Sequence, residues 1–192
     1  MKQVHQCKLI LDKLINELPA HLHYHTIHHA LDVFQCAREI AKGEGINASD
    51  LKLLFIAAIY HDAGYLEQNY NHEQQSCKIA RKYLPQFHYS KEDIETICNI
   101  IMATKLSQSP QLHLEEIICD ANLIYLGRDD FFSTAEKLYV EMLAIDTIKK
   151  REDWNRMQET FLREHRYFTM TAIKLWKSKK MKNLATVQSQ TI

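Results

Sequence analysis

Residues 53–64 read LLFIAAIYHDAG, and this stretch decides how the fold is interpreted. The apolar run that precedes His61 covers almost every side of a helix, which predicts that this helix is the buried centre of the protein. The run ends in His61 and Asp62, and Gly64 then breaks the helix. A carboxylate at the end of so apolar a helix is costly unless something neutralises it, and a metal ion would do so.

The composition excludes several classes of protein. The 192 residues contain 24 Lys and Arg, 24 Asp and Glu and 11 His, so the formal net charge is zero with His neutral. This balance does not favour a nucleic-acid binder or a protein of acidic membranes. Hydrophobic residues make up 46% of the chain and charged residues 25%, which is typical of a globular protein rather than a disordered one.

The sequence also predicts a compartment. The longest apolar run, residues 53–60, is too short to span a bilayer, and the N-terminus lacks the pattern of a signal peptide. The five cysteines include no C-x-x-C pair, and several are flanked by apolar residues. We therefore expect reduced core cysteines and a cytoplasmic protein.

Scarce turn residues and regular apolar spacing predict an all-α protein. Gly occurs four times and Pro three times, far below the roughly 7% and 5% of average proteins. Apolar residues recur at helical spacing in segments of the chain. These are residues 2–18, 26–42, 50–61, 71–84, 90–104, 114–127, 133–148 and 151–180.

The segments predict a single helical domain over residues 1–181, with about seven or eight helices. Residues 131–181 form its C-terminal helices. Residues 182–192 are polar and are expected to form a disordered tail.

Four polar positions stand out against these apolar helices. In the run YHTIHHALDV, residues 24–33, His25 and His29 share one face of a helix if that helix begins early enough. The others are His61-Asp62, Asn71-His72-Glu73 at the start of a helix, and Asp120 within EIICDANLI. Spacing alone does not select a ligand set from these residues, because an HD dipeptide is common by chance.

The order of these motifs, H…HD…D with helices between them, resembles the HD-domain superfamily of metal-dependent phosphohydrolases. The resemblance covers roughly residues 20–130, the catalytic core. Residues 24–33 also resemble the Y-H-N-x-x-H-A-x-D-V signature of cyclic-nucleotide phosphodiesterases, with Thr26 in place of Asn. The segments HDAGY, NHEQQS and DANLIYLG look more like uncharacterised bacterial HD phosphohydrolases.

The resemblance implies a metal site built from two imidazoles and two carboxylates. Its ligands are His29, His61, Asp62 and Asp120. Such a set suits Mn²⁺, Fe²⁺, Co²⁺, Ni²⁺, Zn²⁺ or, less well, Mg²⁺, and it leaves positions for a water and a substrate oxygen. We expect one tightly held ion. The alternative is that a second, weaker site also forms, with Asp62 and His72 as its ligands.

Further residues are candidates for catalysis and substrate binding. His25 falls where the phosphodiesterases keep the histidine that protonates the leaving oxygen; the alternative is that it supports the metal ligands. His72 and Glu73 lie on the first turn of a helix, where an anion or a polarised water is favoured, although simple capping explains them too. Lys105 and Arg128 are candidates to meet a phosphate, and a solvated surface charge is the alternative for each.

The chain departs from the bacterial pattern at Asn122. Those proteins usually read D-A-D-L-x-x-L-G, and Asn122 stands in the place of the second Asp. Because residues two apart on a helix point in different directions, Asn122 is not expected to bind the same ion as Asp120. The departure therefore bears on support of the metal ligands or on substrate binding rather than on the metal itself.

The sequence predicts a metal-dependent phosphohydrolase that cleaves a phosphomonoester or phosphodiester, with a nucleotide as the expected substrate. The alternative is a regulatory module that binds a metal or nucleotide without turnover, and a helical interaction protein without metal is a third class. We expect no nucleic-acid or membrane partner. The helices after residue 133 would close the pocket or form a homodimer, and periodicity does not choose between these.

Overall fold

The computed structural model describes the backbone of residues 2–191 and the side chains of residues 7–189. Within this part the regular structure is entirely helical, and it contains nine α-helices where the sequence predicted seven or eight. The helices are α1 (Lys2–Asn16), α2 (Ile27–Gly43), α3 (Ala48–Tyr60), α4 (His72–Tyr83), α5 (Lys91–Ala103), α6 (His113–Asn122), α7 (Phe131–Ala144), α8 (Arg151–Glu164) and α9 (Met170–Thr191). No helix in the described part is long and apolar enough to cross a bilayer.

Helix α3 lies at the centre of the fold, as its apolar run predicts. Leu54, Ala57 and Tyr60 are completely buried, and α3 packs against α1, α2 and α5. The amide oxygen of Asn47 accepts hydrogen bonds from the backbone N–H groups of the first turn and so fixes where the helix begins. Because α3 is enclosed on all sides, the residues at its C-terminal end enter the interior of the protein.

The C-terminal helices form a second apolar cluster around the end of α6. Its buried members include Leu126, Phe131, Trp154, Leu162, Leu184 and Val187. The short 3-10 turn Ile124–Gly127 packs closely on α9, since a Cβ atom at Gly127 would lie 2.6 Å from the Cβ of Trp176. Glycine is therefore needed where α9 crosses this turn.

The additional helix arises from a break that the sequence did not predict. Residues 151–180 divide into α8 and α9 because the carboxylate of Asp120 accepts three hydrogen bonds between them. The donors are the backbone N–H groups of Phe168 (2.9 Å) and Thr169 (2.8 Å) and the Thr169 hydroxyl (2.7 Å). The Thr169 oxygen in turn accepts a hydrogen bond from the backbone N–H of Ala172, which satisfies a donor in the first turn of α9.

The expectation of a disordered tail over residues 182–192 is also corrected. Helix α9 continues to Thr191, and Leu184 and Val187 are only 6% and 3% exposed. These two residues are three apart, so they lie on one face of the helix and pack into the second apolar cluster. Ile192, the last residue of the expected tail, lies outside the described residues.

Candidate metal centre

The beginning of α2 and the end of α3 bring three potential ligands together. The His61 Nε2 atom lies 3.1 Å from Asp62 Oδ2, and His29 Nε2 lies 3.4 Å from the same oxygen. The two imidazole nitrogens are also 3.4 Å apart. These residues form the cluster of His, Cys, Asp and Glu side chains in the described chain that can hold a metal ion.

The turn after α3 fixes the orientation of His61. Its Nδ1 atom donates a hydrogen bond to the backbone oxygen of Ala58 (2.8 Å), which leaves Nε2 as the lone-pair nitrogen that faces the cluster. The Ser76 hydroxyl donates to the backbone oxygen of His61 and accepts from the N–H of Gly64. A Cβ atom at Gly64 would lie 1.9 Å from the backbone oxygen of His72, so only glycine lets this turn pack against the start of α4.

The cluster fits a divalent ion in its chemistry. Asp62 Oδ2 is buried and has no hydrogen-bond donor among the described residues, although a buried carboxylate oxygen is costly without one. Burial alone would raise the pKa of Asp62, but the facing His61 and His72 rings hold it well below its ordinary value. Burial lowers the pKa of His29 to about 3, so this imidazole is neutral at pH 7, the form that binds metals. Burial would lower the pKa of His61, but the facing Asp62 carboxylate raises it, so this ring gives up its second proton when a cation takes that place. The three side chains thus offer a neutral imidazole at His29, an ionised carboxylate at Asp62 and an imidazole at His61 that exchanges a proton for the ion.

Asp120 is not brought to this cluster, contrary to the ligand set that the sequence analysis gave. Its carboxylate faces Phe168 and Thr169 instead, and burial raises its pKa to about 6 against the opposing effect of their hydrogen bonds. Asn122, two residues further along α6, is the residue that points to the cluster: its Oδ1 atom lies 3.0 Å from His29 Nε2. The expectation that the two side chains point apart is correct, but the one that faces the metal centre is Asn122.

His25 lies beside the cluster and is held by a buried acid. Its Nδ1 atom pairs with Glu141 on α7, and because a carboxylate only accepts, Nδ1 donates and Nε2 is left facing the cavity. The other oxygen of Glu141 accepts hydrogen bonds from the backbone N–H groups of Tyr24 (2.9 Å) and His25 (3.1 Å). Burial would raise the pKa of Glu141, but the contacts with His25 and Tyr24 lower it. The acid is therefore ionised at neutral pH although it is only 2% exposed.

A tyrosine ring links His25 to His72. The Tyr65 ring stacks on His72 with ring centroids 4.1 Å apart and on His25 with centroids 4.4 Å apart. Its hydroxyl lies 3.4 Å from His25 Nε2. His72 Nε2 is 3.4 Å from Asp62 Oδ1 and 3.5 Å from Glu73 Oε1, so His72 lies next to the cluster and Glu73 lies next to His72.

The cluster opens into a cavity of about 380 Å³. At its polar end the cavity is lined by His25, Asp62, His72, Glu73, Lys105 and Asn122. The ammonium group of Lys105 lies 3.4 Å from Asn71 Oδ1, at the mouth of the cavity. Residues of α7 and α8 form the opposite wall, so these C-terminal helices close the pocket, one of the two roles the sequence left open.

Arg128 does not line this cavity, which corrects its assignment to substrate binding. Its guanidinium donates to both oxygens of Asp32 (2.6 and 2.7 Å) and to Asp130 (2.9 and 3.1 Å). It lies instead beside Trp176, in shallow grooves on a different part of the surface. Arg128 does follow Gly127 directly, but the carboxylates of Asp32 and Asp130 on the same surface bind its guanidinium and hold it away from the cavity.

Glu141 is not among the residues predicted from the sequence. Helix α7 does contain a signal for it: Glu141 follows Leu138 by three residues, so an acid lies next to the apolar face of that helix. A charged residue in such a place needs a partner. That partner, His25, is 116 residues away in sequence, and only the packing of α7 reveals it.

Comparisons with known proteins identify the family and the fold of this chain. The family model of the HD domain matches residues 26–124, about half of the chain. A predicted HD superfamily hydrolase from an uncultured Thermotogales bacterium has a similar structure, with a TM-score of 0.60 and 19% identity over 95% of this chain and 90% of that one. A protein from Lactobacillus plantarum gives a TM-score of 0.66 and 19% identity over 97% and 93% of the two chains. No curated protein matches the chain at a significant level.

Proposed function

The chain belongs to the HD domain family, and we propose that it is a metal-dependent phosphohydrolase. Its substrate is a phosphomonoester or phosphodiester, with a nucleotide as the class that its sequence motifs favour. The observation that carries the proposal is the buried cluster of His29, His61 and Asp62, with an unpaired carboxylate oxygen, next to a substrate-sized cavity that Asp62 lines.

The ion would be held by His29, His61 and Asp62, with the amide oxygen of Asn122 beside them. A divalent ion in such a site supplies a nucleophile from water near neutral pH and compensates charge on a phosphoryl group. Asp62 is the residue that makes the set selective for a cation, since it is the ionised member. Asp120 is not part of this proposed set, because its oxygens are occupied by residues 168 and 169.

His25 is the proposed general acid. Its Nδ1 hydrogen is fixed on Glu141, so Nε2 is directed into the cavity, where it can hold a proton for the leaving oxygen. The stacked ring of Tyr65 prevents the imidazole from turning away. Glu141 acts through His25 and is therefore a positioning residue.

His72, Glu73 and Lys105 bind and orient the substrate in this proposal. The Nε2 atom of His72 lies against Asp62 and Glu73, so this nitrogen is directed to the cluster. Lys105 is the cation nearest to an incoming phosphate, and its contact with Asn71 is long enough, at 3.4 Å, to be exchanged for a phosphate oxygen.

The test is phosphate release from a panel of esters in the presence of Mn²⁺, Co²⁺, Ni²⁺ or Mg²⁺. We expect turnover with at least one of these ions and its loss in His61→Ala. His28→Ala is the matched control, because His28 is an exposed neighbour of His29 and touches none of the cluster. Full metal-dependent turnover in His61→Ala, or no turnover of any ester by the wild-type chain, contradicts the proposal.

One observation favours the alternative, a module that binds metal or nucleotide without turnover. Asn122 contributes a neutral amide where a carboxylate would bind the ion more strongly. We expect Asn122→Asp to tighten Mn²⁺ binding about tenfold, the order of effect that a neighbouring charge has on a metal site. If Asn122→Asp gains hydrolysis that the wild-type chain lacks, the chain is a binding module; if both hydrolyse, the enzyme proposal stands.

A further inference from the structure

The cavity beside the metal centre has an apolar half that the proposed chemistry does not use. We define the apolar arm as Leu138 and Met142 of α7, Ile145 directly after that helix, and Trp154, Met157 and Phe161 of α8. We propose that the apolar arm selects substrates with a single phosphoryl group and a flat, apolar leaving group. This inference rests on the proposed function and narrows its substrate class.

The chemistry of the lining supports an apolar ligand. Of the residues of α7 and α8 that line the cavity, all but Glu141 and Gln158 are hydrophobic, and Tyr24, Leu123 and Tyr125 line it as well. Water in such a space makes few hydrogen bonds, so an apolar group that displaces it gains free energy. The aromatic rings and methionine sulfur atoms favour a flat ring over a branched chain.

The charges around the cavity exclude polyphosphates. Among the described residues that line it, Lys105 is the one lysine or arginine, whereas Asp62, Glu73 and Glu141 are acids. Sites for nucleoside triphosphates surround the phosphates with several backbone or cationic donors. With one lysine and two histidines against three acids, this cavity has the charge to accept one phosphoryl group beside a metal ion.

The apolar arm is built from residues outside the segment that matches the family. That segment ends at residue 124, and all six members follow it. Most of the catalytic end of the cavity thus comes from the segment that matches the family, and the specificity wall comes from the helices that follow it. Glu141 lies on α7 among them, so the wall and the partner of His25 are carried by the same helix.

Binding of two hydrolysis-resistant phosphonates tests the inference directly. Calorimetry with the purified chain would compare 1-naphthylmethylphosphonate with methylphosphonate, which has the same charge and no ring. We expect the naphthyl compound to bind more than about tenfold more tightly, since its ring is removed from water in the apolar arm. Equal affinities overturn the inference.

Substitutions on one helix locate the effect. Met142→Gln places an amide in the apolar arm and should remove most of the naphthyl preference, with about a tenfold change. Val140→Gln is the matched control, because Val140 is exposed on the same helix and does not line the cavity. If Met142→Gln does not fold, Ile145→Gln at the end of α7 replaces it. Loss of the preference in Val140→Gln, or its retention in both arm variants, overturns the assignment.

Hydrolysis separates this inference from the proposed function. We expect kcat/KM to be higher for 1-naphthyl phosphate than for ribose 5-phosphate or a nucleoside triphosphate, with a nucleoside monophosphate between them. If sugar phosphates or triphosphates are the better substrates, the inference fails while the phosphohydrolase stands. If no ester is hydrolysed but the naphthyl phosphonate binds preferentially and needs Met142, the phosphohydrolase fails while the apolar arm stands.

Discussion

Asp62 and Asp120 are both aspartates in the interior, 7% and 0% exposed, but their charges are compensated in different ways. Asp120 accepts hydrogen bonds from two backbone N–H groups and a hydroxyl, all from residues 168 and 169. Asp62 faces imidazole rings, and its Oδ2 atom receives no hydrogen bond from the described residues.

The difference separates a structural acid from a binding acid. The two oxygens of the Asp120 carboxylate receive their hydrogen bonds from the chain itself. Asp120 therefore joins two parts of the fold, α6 and the start of α9. A carboxylate with a buried oxygen left unpaired has a site for something that the chain does not contain. Both were expected from sequence to bind the same ion, and the comparison assigns them opposite roles.

The largest expected effect is on catalysis, and it distinguishes the two aspartates. Asp62→Asn should lower metal-dependent kcat by more than the roughly 10–100-fold that loss of a residue supporting a ligand costs. Asp120→Asn keeps the shape of the side chain and should retain most of the activity if the protein folds. Phosphate release at saturating Mn²⁺ measures both. Equal losses of kcat in the two variants would contradict the different roles assigned to Asp62 and Asp120.

The next effect is on the free energy of unfolding, and here substitution of Asp120 should matter more than substitution of Asp62. Asp120→Ala leaves the N–H groups of Phe168 and Thr169 and the Thr169 hydroxyl without an acceptor, and each such buried donor costs about 1–3 kcal/mol. We expect the free energy of unfolding to fall by about 3 kcal/mol. Denaturant unfolding at constant m-value measures it. Thr169→Val removes one of the three donors to Asp120 and leaves one N–H group, that of Ala172, without its acceptor, so it should cost less than Asp120→Ala.

Sequence reasoning found the region of both aspartates but not their partners. The apolar α3 and its terminal His61-Asp62 were predictable because burial on all sides follows from composition. The break at residues 165–169 was not, because periodicity over residues 151–180 is uninterrupted and the contact that breaks the helix comes from Asp120, about 48 residues earlier. Asn122 was misjudged for the same reason: helical geometry says that it and Asp120 diverge, but not which of them faces α2.

Glu141 shares features of both aspartates and gives the third prediction. It accepts backbone hydrogen bonds as Asp120 does, and it faces an imidazole as Asp62 does. Glu141→Gln should lower kcat for benzyl phosphate about 10–100-fold, because His25 loses its fixed orientation. For 4-nitrophenyl phosphate, whose leaving group needs no proton, the loss should be under about threefold.

The matched control for this variant is Glu136→Gln. Glu136 is an exposed acid of the same helix, paired with Arg151 on the surface. Glu136→Gln should leave kcat unchanged for both esters. An equal loss for the two esters in Glu141→Gln would show a general defect of the fold and not a role in protonating the leaving group.

The last effect concerns pH and develops only in acid, through His165 in the break between α8 and α9. Burial, helped by Lys180 and Arg166, lowers the pKa of His165 to about 3, whereas the unfolded chain titrates near about 6.5. The folded chain therefore binds fewer protons than the unfolded chain. The contribution of His165 to the free energy of unfolding is complete above about pH 6.5. It is lost as the pH falls towards about 3, by at most about 1.4 kcal/mol per pH unit.

His165→Gln should flatten this part of the stability profile. Unfolding curves between about pH 4 and 7 would measure the difference from wild type, and His113→Gln, at an imidazole 45% exposed, is the control. A profile that His165→Gln leaves unchanged would mean that this imidazole is not held neutral in the fold.

Calorimetric titration of Mn²⁺ into the metal-stripped wild-type chain, Asp62→Asn and Asp120→Asn tests the central claim most directly. The account predicts one ion per chain with similar affinity in the wild type and Asp120→Asn. In Asp62→Asn, binding should be weaker by more than about 100-fold. Full affinity in Asp62→Asn, or its loss in a folded Asp120→Asn, would contradict the assignment of the metal to the end of α3.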